Sequence, residues 1–167
     1  FPAFSKLARQ ERELIFKDYI IKLGIVVNAY WTLKLFGNES SRIMSSVCTC
    51  FDKEMPIDFY YPADDGNKEF FESSIRCHAD EQEWMFMPQF CRTQVSEREF
   101  HALAALVLTE HDSLISGQAE LIIDDIRNDI LQNLQTYYRN VLGLTDFSMR
   151  LGNLMSLNHT IQVYTSH

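Results

Sequence analysis

The sequence predicts an all-α fold with at most one small β element. Three observations support this prediction: apolar residues recur every three or four positions in several long stretches, glycine and proline are scarce, and only one short segment is rich in β-branched and aromatic residues. The chain has 167 residues and is 46% apolar, which is typical of one packed globular domain. We therefore expect residues 1–167 to form a single helical domain.

The first predicted helix extends from Ala8 to Lys34 and is apolar on more than one face, so we expect it to cross the middle of the domain. Gly37 and Asn38 follow it as a stop signal. The next segment, "RIMSSVCTCF", favours a small hairpin, although irregular packing also fits it. After it, "YYPADDGNKE" has the turn chemistry of a loop.

Two further helices are predicted in the middle of the chain. The first extends from Glu69 to about Met87, and we expect Pro88 to bend or end it. The second begins at the capping-box pattern of Ser96 and Glu99 and continues through "FHALAALVL".

Two more helices complete the array. The segment from Gln118 to Leu142 has a strong three-to-four residue apolar period, and Gly143 follows it as a stop. The last helix begins near Thr145 or Asp146. Its apolar stripe consists of Leu151, Leu154, Leu157 and Ile161.

The charge balance argues against a nucleic-acid surface. Acidic residues outnumber basic ones by 23 to 15, and the net charge is −8, whereas phosphate binding requires clustered Lys and Arg. Contact with DNA would therefore need a separate domain. No uninterrupted apolar stretch approaches the roughly 20 residues of a spanning helix, so no membrane contact is expected.

The candidate metal and catalytic groups lack the spacing that such sites require. Zinc ligands could come from four cysteines and a histidine, but the intervals do not fit structural zinc sites, and buried free thiols are the simpler interpretation; these residues are Cys48, Cys50, Cys77, His78 and Cys91. The triplet from Glu110 to Asp112 is expected to be a solvated helix end. The acidic pairs at 64–65 and 124–125 are not calcium loops. The sequence thus predicts no metal, no cofactor and no enzyme.

The opening stretch, "FSKLARQERELIFK", resembles the signature of nuclear receptor ligand-binding domains. In that signature a Phe and a Leu precede an Asp-Gln pair, two leucines and a basic residue. The corresponding positions here are Phe4, Leu7, Glu11, Arg12, Ile15, Phe16 and Lys17. The order of the later segments also fits this family, and the likeness is nearest to the hepatocyte nuclear factor class and its nematode relatives. It covers essentially the whole chain.

The resemblance implies a three-layer antiparallel helical sandwich. Because family domains usually exceed 200 residues, it also implies that the first helices, most of the third helix and the C-terminal activation helix lie outside this sequence. The apolar and charged wall that binds an LxxLL-type coregulator helix would consist of Arg9, Arg12, Glu13, Phe16 and Lys17. An ordinary solvated helix face is the alternative for these residues.

The family pocket maps onto Ile21, Gly24, Ile25, Asn28 and Trp31. Fatty-acid-binding relatives place an Arg near the position of Trp31 to pair with the carboxylate, so we expect a neutral, lipid-like hydrophobic ligand or no ligand. Simple core packing is the alternative for these five residues.

The last helix resembles the family's dimer seam, which would involve Arg150, Leu151, Leu154 and Leu157 in a homodimer or heterodimer. Burial against Ile122 and Ile126 is the alternative, and both can hold at once. The resemblance implies a nuclear transcription factor that binds a ligand and a coregulator. A ligand-independent helical dimerisation scaffold with a filled pocket is the alternative function.

Overall fold

A computed structural model describes residues 2–38, 41–46, 48–61, 66–81, 86–111 and 115–165. After a 3-10 helix at Pro2–Lys6, its elements are α1 (Arg9–Phe36), β1 (Arg42–Met44), β2 (Cys50–Asp52), α2 (Ile57–Tyr60), α3 (Lys68–Glu81), α4 (Met87–Thr93), α5 (Glu97–Thr109), α6 (Gly117–Asn140) and α7 (Ser148–Thr165). The chain divides into two compact units. The helical unit comprises Phe1–Val26 and Val95–His167, and the hairpin unit comprises Val27–Gln94.

Helix α5 is the central element of the helical unit because it packs against both α6 and α7. Its residues Leu106 and Leu108 join a buried cluster with Leu7, Ile15 and the inward stripe of α6. That stripe, which is spaced at three or four residues as predicted, consists of Ala119, Ile123, Ile126 and Ile130. As an element, α7 packs more extensively on α5 than on α6.

Helix α1 confirms the long helix predicted from the sequence, and Gly37, at φ +78°, ends it as expected. One flank is buried, including Ile15, Val26 and Tyr30. The expectation of burial on several faces is wrong for this chain, because the large apolar residues Leu14, Phe16, Ile20 and Ile21 are exposed. By length and composition alone α1 could cross a membrane, but core helices meet the same criterion.

The predicted capping box at the start of α5 is confirmed, and its acid does more than cap the helix. Glu99 is fully buried and its carboxylate accepts the backbone N–H and the hydroxyl of Ser96 at 2.9 and 2.7 Å. Arg150 of α7 donates Nε and Nη2 to the two carboxylate oxygens at 2.6 and 2.7 Å, and the Tyr138 hydroxyl of α6 donates at 2.8 Å. One carboxylate therefore joins three helices.

Hydrogen bonding controls the ionisation of this cluster. Burial alone would raise the pKa of Glu99, but the bonds from Arg150, Ser96 and Tyr138 together hold it below its ordinary value. Burial and the bond to Glu99 raise the pKa of the Tyr138 phenol. The bond to Glu99 raises the pKa of Arg150. Glu99 is thus a buried anion with a complete set of donors.

Both ends of α6 are fixed by local signals. The Ser116 hydroxyl accepts the Ala119 N–H at 3.2 Å, and the Ser116 N–H donates to Glu11 of α1 at 3.1 Å. Glu11 also accepts the Ala8 N–H at 3.2 Å, so this acid caps its own helix and holds the loop before α6. Gly143, at φ +65°, follows the helix end as predicted.

The C-terminal end of α5 is a polar cluster: the helix ends at Thr109 with Glu110 as its C-cap, as predicted, but Glu110 is half-buried and bonded rather than fully solvated. Arg127 donates to the Thr109 carbonyl at 2.7 Å and pairs with Glu110 at 3.4 Å. Lys22, only 1% exposed, donates to the Glu110 carbonyl at 2.7 Å. These cations satisfy carbonyls that the helix end leaves open. Asp112 lies outside the described residues.

In the hairpin unit, β1 and β2 form the antiparallel pair that the sequence favoured. Ile43 pairs with Phe51 across the hairpin. The buried Thr32 hydroxyl of α1 accepts the Met44 N–H at 2.9 Å, which fastens β1 to the helix. The Tyr60 hydroxyl of α2 accepts the Asp52 N–H at 2.7 Å and so holds the end of β2.

Two features of the hairpin unit differ from the predictions. The short helix α2 had no recognised signal. Pro88 does not end a helix but lies in the first turn of α4, where its missing N–H leaves no hydrogen bond unmade. Helix α3 ends its described span at Glu81, and residues 82–85, like Pro62 to Asp65 of the predicted loop, lie outside the described residues.

The Glu99 cluster leads to a stability prediction. Glu99→Gln should lower the free energy of unfolding by about 3 kcal/mol near neutral pH, because it removes the charge that Arg150 pairs with. Urea denaturation would measure this, with Glu120→Gln, an exposed acid in the first turn of α6, as the control. The pKa of Glu99 is lowered in the fold, so its contribution is present above the unfolded value and is lost as the pH falls through the folded value. The difference between the variant and the parent should therefore shrink below about pH 4, and a difference independent of pH would contradict the assignment.

Candidate ligand cavity and docking surfaces

A cavity of about 560 Å³ lies beside the hairpin, entirely within the hairpin unit. Both strands, the turn between them, α2 and α3 contribute to its wall. The lining residues are Ile43, Met44, Ser45, Thr49, Cys50, Phe51, Tyr60, Phe71, Ser74 and Ile75. Its volume falls within the range of small-molecule pockets, which is roughly 300 to 1,000 Å³.

The wall of this cavity is mostly apolar and aromatic. The rings of Phe51 and Tyr60 pack at a tilt with a centroid distance of 4.7 Å. The Tyr60 hydroxyl accepts the Asp52 N–H and donates to the Asp52 carbonyl. Phe71 and Ile75 lie one turn apart on α3 and present one face to the cavity. Ser45, Thr49 and Cys50 supply polar atoms on the hairpin side. Such a wall suits an apolar molecule with a small polar group.

The five residues predicted to form the pocket do not line this cavity. In the helical unit, Ile25 is buried, Gly24 is half-buried and Ile21 is 62% exposed. In the hairpin unit, Asn28 and Trp31 are half-buried. The Trp31 ring lies 5.5 Å from that of Tyr30, with the Lys34 ammonium 5.1 Å from its centroid. The role of these five residues as a pocket stays a prediction.

The five predicted groove residues do come together. With Phe4 they surround an open depression of about 450 Å³ on the N-terminal part of α1; they are Arg9, Arg12, Glu13, Phe16 and Lys17. Arg9 and Glu13 pair at 2.8 Å, so two of its charges neutralise each other. Phe16 is exposed, and its ring centroid lies 6.1 Å from that of Tyr19. The depression therefore combines two aromatic side chains, Phe4 and Phe16, with the cations Arg12 and Lys17.

The residues predicted for a dimer seam mostly make contacts within the chain itself. Leu154 and Leu157 are buried, so they have no surface left for a second subunit. Arg150 is half-buried and pairs with Glu99, and Leu151 is half-buried. A seam along α7 that involves Arg150 and Leu151 stays a prediction.

None of the four cysteines, all within the described residues, forms a disulfide, but the expectation that they are buried is wrong for three of them. Cys48, Cys50 and Cys77 are exposed, and Cys91 is half-buried. Cys48 lies in the turn before β2, Cys50 is the first residue of β2, and Cys77 is on an exposed side of α3, whereas the half-buried Cys91 belongs to α4. The side chain of His78 lies outside the described residues.

Comparison with known proteins assigns the class of this arrangement. The family model described as "Ligand-binding domain of nuclear hormone receptor" matches residues 1–166. The chain therefore belongs to the nuclear hormone receptor ligand-binding domain family. This confirms the resemblance found in the opening stretch.

Individual relatives agree with this assignment. The chain is 27% identical to "Nuclear hormone receptor family member nhr-28" of both Caenorhabditis briggsae and Caenorhabditis elegans, over 97% of this chain and 38% of each relative. The solved "Ultraspiracle ligand binding domain from Drosophila melanogaster" superposes with a TM-score of 0.65 and 16% identity, over 98% of this chain and 63% of that one. The predicted helical sandwich fold is thereby confirmed. The chain spans under half the length of the two Caenorhabditis relatives.

The exposure of the thiols predicts their reactivity. Burial raises the pKa of the Cys91 thiol, which lowers its thiolate fraction at neutral pH. Iodoacetamide at pH 7.5 should therefore label Cys48, Cys50 and Cys77 several-fold faster than Cys91, measured by peptide mass spectrometry over time. Labelling after unfolding in urea serves as the control, because it should equalise the four rates. Fastest labelling at Cys91 in the folded protein would contradict the described burial.

Proposed function

We propose that this chain is part of the ligand-binding domain of a nuclear receptor that regulates transcription, and that the hairpin cavity holds its hydrophobic ligand. The apolar cavity of about 560 Å³ in a chain of this family is the observation that supports the proposal. Residues 1–167 would then belong to one domain, and contact with DNA would come from a separate part of the protein. The domain would act in the nucleus and without catalysis.

The proposed mechanism is a shift of population. A ligand in the cavity stabilises the conformation that presents the coregulator groove, by as much as its affinities for the two conformations differ. The groove on α1 would receive an amphipathic LxxLL-type helix. Phe16 would contact its leucines, and Lys17 would lie near the C-terminal end of that helix, where the dipole favours a cation. Homodimers or heterodimers with another receptor fit the same function.

The ligand cavity can be tested by filling it. Ile75→Trp places an indole inside the apolar wall, and we expect it to weaken binding of the neutral apolar dye Nile red by at least about tenfold, because the added ring displaces the dye. Ile21→Trp is the matched control, since it makes the same change at an exposed position of the alternative pocket. Both variants would be titrated in the full-length protein, with fluorescence as the measurement.

The two pocket assignments give opposite results. Loss of binding in Ile21→Trp alone would support the pocket around Trp31 and contradict the hairpin cavity. Absence of saturable binding to the unmodified protein, together with no small molecule in its organic extract by mass spectrometry, would instead support the ligand-independent dimerisation scaffold.

The coregulator groove can be tested with a fluorescent LxxLL peptide. Lys17→Ala should weaken its binding to the full-length protein by roughly three- to tenfold, because it removes a cation near the peptide helix C-terminus. Lys6→Ala is the control, as it removes the same charge from an exposed residue that does not line the depression. Fluorescence anisotropy measures both affinities. Equal effects of the two substitutions would point to general charge attraction, and no saturable binding would remove the coregulator role.

A further inference from the structure

Two exposed thiols lie two positions apart where the hairpin turn leads into β2. Cys48 belongs to the turn, and Cys50 is the first residue of the strand. Both are exposed, and neither is in a disulfide. Since Thr49 alone separates them, an approach of the two sulfur atoms is a local change within the turn. Exposed thiols are the ones that oxidants reach, so this pair is a candidate site of oxidation.

The backbone spacing allows a bond between the two sulfur atoms. The Cα atoms of residues i and i+2 in an extended strand are roughly 6.6 Å apart, and disulfides join Cα atoms that are about 4.4 to 6.8 Å apart. Cys48 lies outside β2, whose pairing begins at Cys50 opposite Met44, so the chain can bend at Thr49 without opening the strand pair. A disulfide in so small a ring is strained, and strained or exposed disulfides are the ones most easily reduced.

Thr49 links the two cysteines to the shape of the hairpin cavity. Its carbonyl accepts the backbone N–H groups of Ser45 and Ser46 at 3.0 and 3.2 Å. Cys50, Thr49 and Ser45 all line the cavity. A bend at Thr49 that joins the cysteines turns this carbonyl relative to its donors and moves residues of the wall. The oxidation state of the pair and the shape of the cavity therefore change together.

We propose that peroxide converts Cys48 and Cys50 into a reversible disulfide, and that this disulfide weakens ligand binding in the hairpin cavity. The turn is then a redox-controlled modification site beside the ligand. The effect on binding rests on the proposed ligand-binding function, whereas the formation of the disulfide does not.

Hydrogen peroxide is the oxidant in this reaction. The thiolate of one cysteine attacks a peroxide oxygen, the O–O bond breaks, and a sulfenic acid forms while the departing hydroxide takes up the proton that the thiol lost. The second thiol attacks the sulfenic sulfur, so that the S–S bond forms as the S–O bond breaks, and the oxygen leaves as water. Two thiols are thus oxidised to one disulfide, and one peroxide is reduced to two water molecules. Glutathione reverses the change by thiol–disulfide exchange.

The disulfide can be detected by mass spectrometry of the full-length protein after brief exposure to hydrogen peroxide. Tryptic cleavage after Arg42 and Lys53 leaves both cysteines in one peptide, 43–53. We expect this peptide to lose two hydrogen atoms on oxidation and to regain them with excess reduced glutathione. Oxidation of Met44 in the same peptide adds an oxygen atom, so the mass distinguishes the two reactions.

The other two cysteines provide an internal control. Cys77 and Cys91 share the tryptic peptide 77–92, but they are far apart in sequence and Cys91 is half-buried. We therefore expect this peptide to keep its hydrogen atoms under the same exposure. Cys48→Ser should abolish the loss of hydrogen from peptide 43–53, whereas Cys77→Ser, which removes another exposed thiol, should leave it unchanged.

The link to the cavity is tested by the affinity for Nile red before oxidation, after oxidation and after reduction. We expect oxidation to weaken binding by at least about threefold, because a changed wall no longer packs as well against the dye, and reduction to restore it. Cys48→Ser is the matched control, since Cys48 is not a lining residue and the variant keeps Cys50 in the wall. Its affinity should equal that of the unmodified protein and should not respond to peroxide.

The outcomes separate the modification from the ligand function. If peptide 43–53 keeps its hydrogen atoms, or if non-reducing electrophoresis shows disulfides between molecules instead, the proposed site is overturned. If the disulfide forms but both states bind the dye equally, the link to the cavity is overturned. If the reduced protein does not bind the dye, the proposed ligand function fails, and the mass measurement still decides whether the disulfide forms.

Discussion

The helical unit depends on the environment of one buried carboxylate. Glu99 receives hydrogen bonds from its own helix through Ser96, from α6 through Tyr138 and from α7 through Arg150. A buried charge is unfavourable unless its lone pairs accept hydrogen bonds. The three helices must take one relative placement for all of these donors to reach the carboxylate. The apolar stripes alone would tolerate sliding between helices, whereas this cluster does not. It therefore fixes the register of the unit.

How far the sequence could predict this arrangement depends on the distance between partners. Ser96 and Glu99 are three residues apart, so the capping box was visible as a local pattern and is confirmed. Arg150 lies 51 residues beyond Glu99, and nothing in the sequence links them. The resemblance assigned Arg150 to a dimer seam, while the structure gives it an internal partner. Local periodicity similarly predicted α1 and α6 but missed α2, whose four residues are too few to show a period.

The candidate cavity illustrates the same limit. Phe71 and Ile75 are spaced as neighbours on one helix face, and this spacing could have marked them as lining residues. Ser45 and Thr49 could not have been found in this way, because only the closure of the hairpin brings their hydroxyls together. The groove residues, by contrast, are neighbours on one helix, α1, because they are three or four positions apart. Matching positions to the family signature was therefore enough to place them around one depression. Sites within one helix are thus predictable from the sequence, while sites shared by several elements require the fold.

The exposed apolar side chains of α1 have a practical consequence for laboratory work. Leu14, Phe16, Ile20 and Ile21 are large apolar residues that are exposed to solvent in this chain. Exposed apolar side chains lower solubility and favour aggregation as a protein is concentrated. Residues 1–167, purified by themselves, will therefore need dilute handling or mild detergent, and light scattering during storage will measure their aggregation.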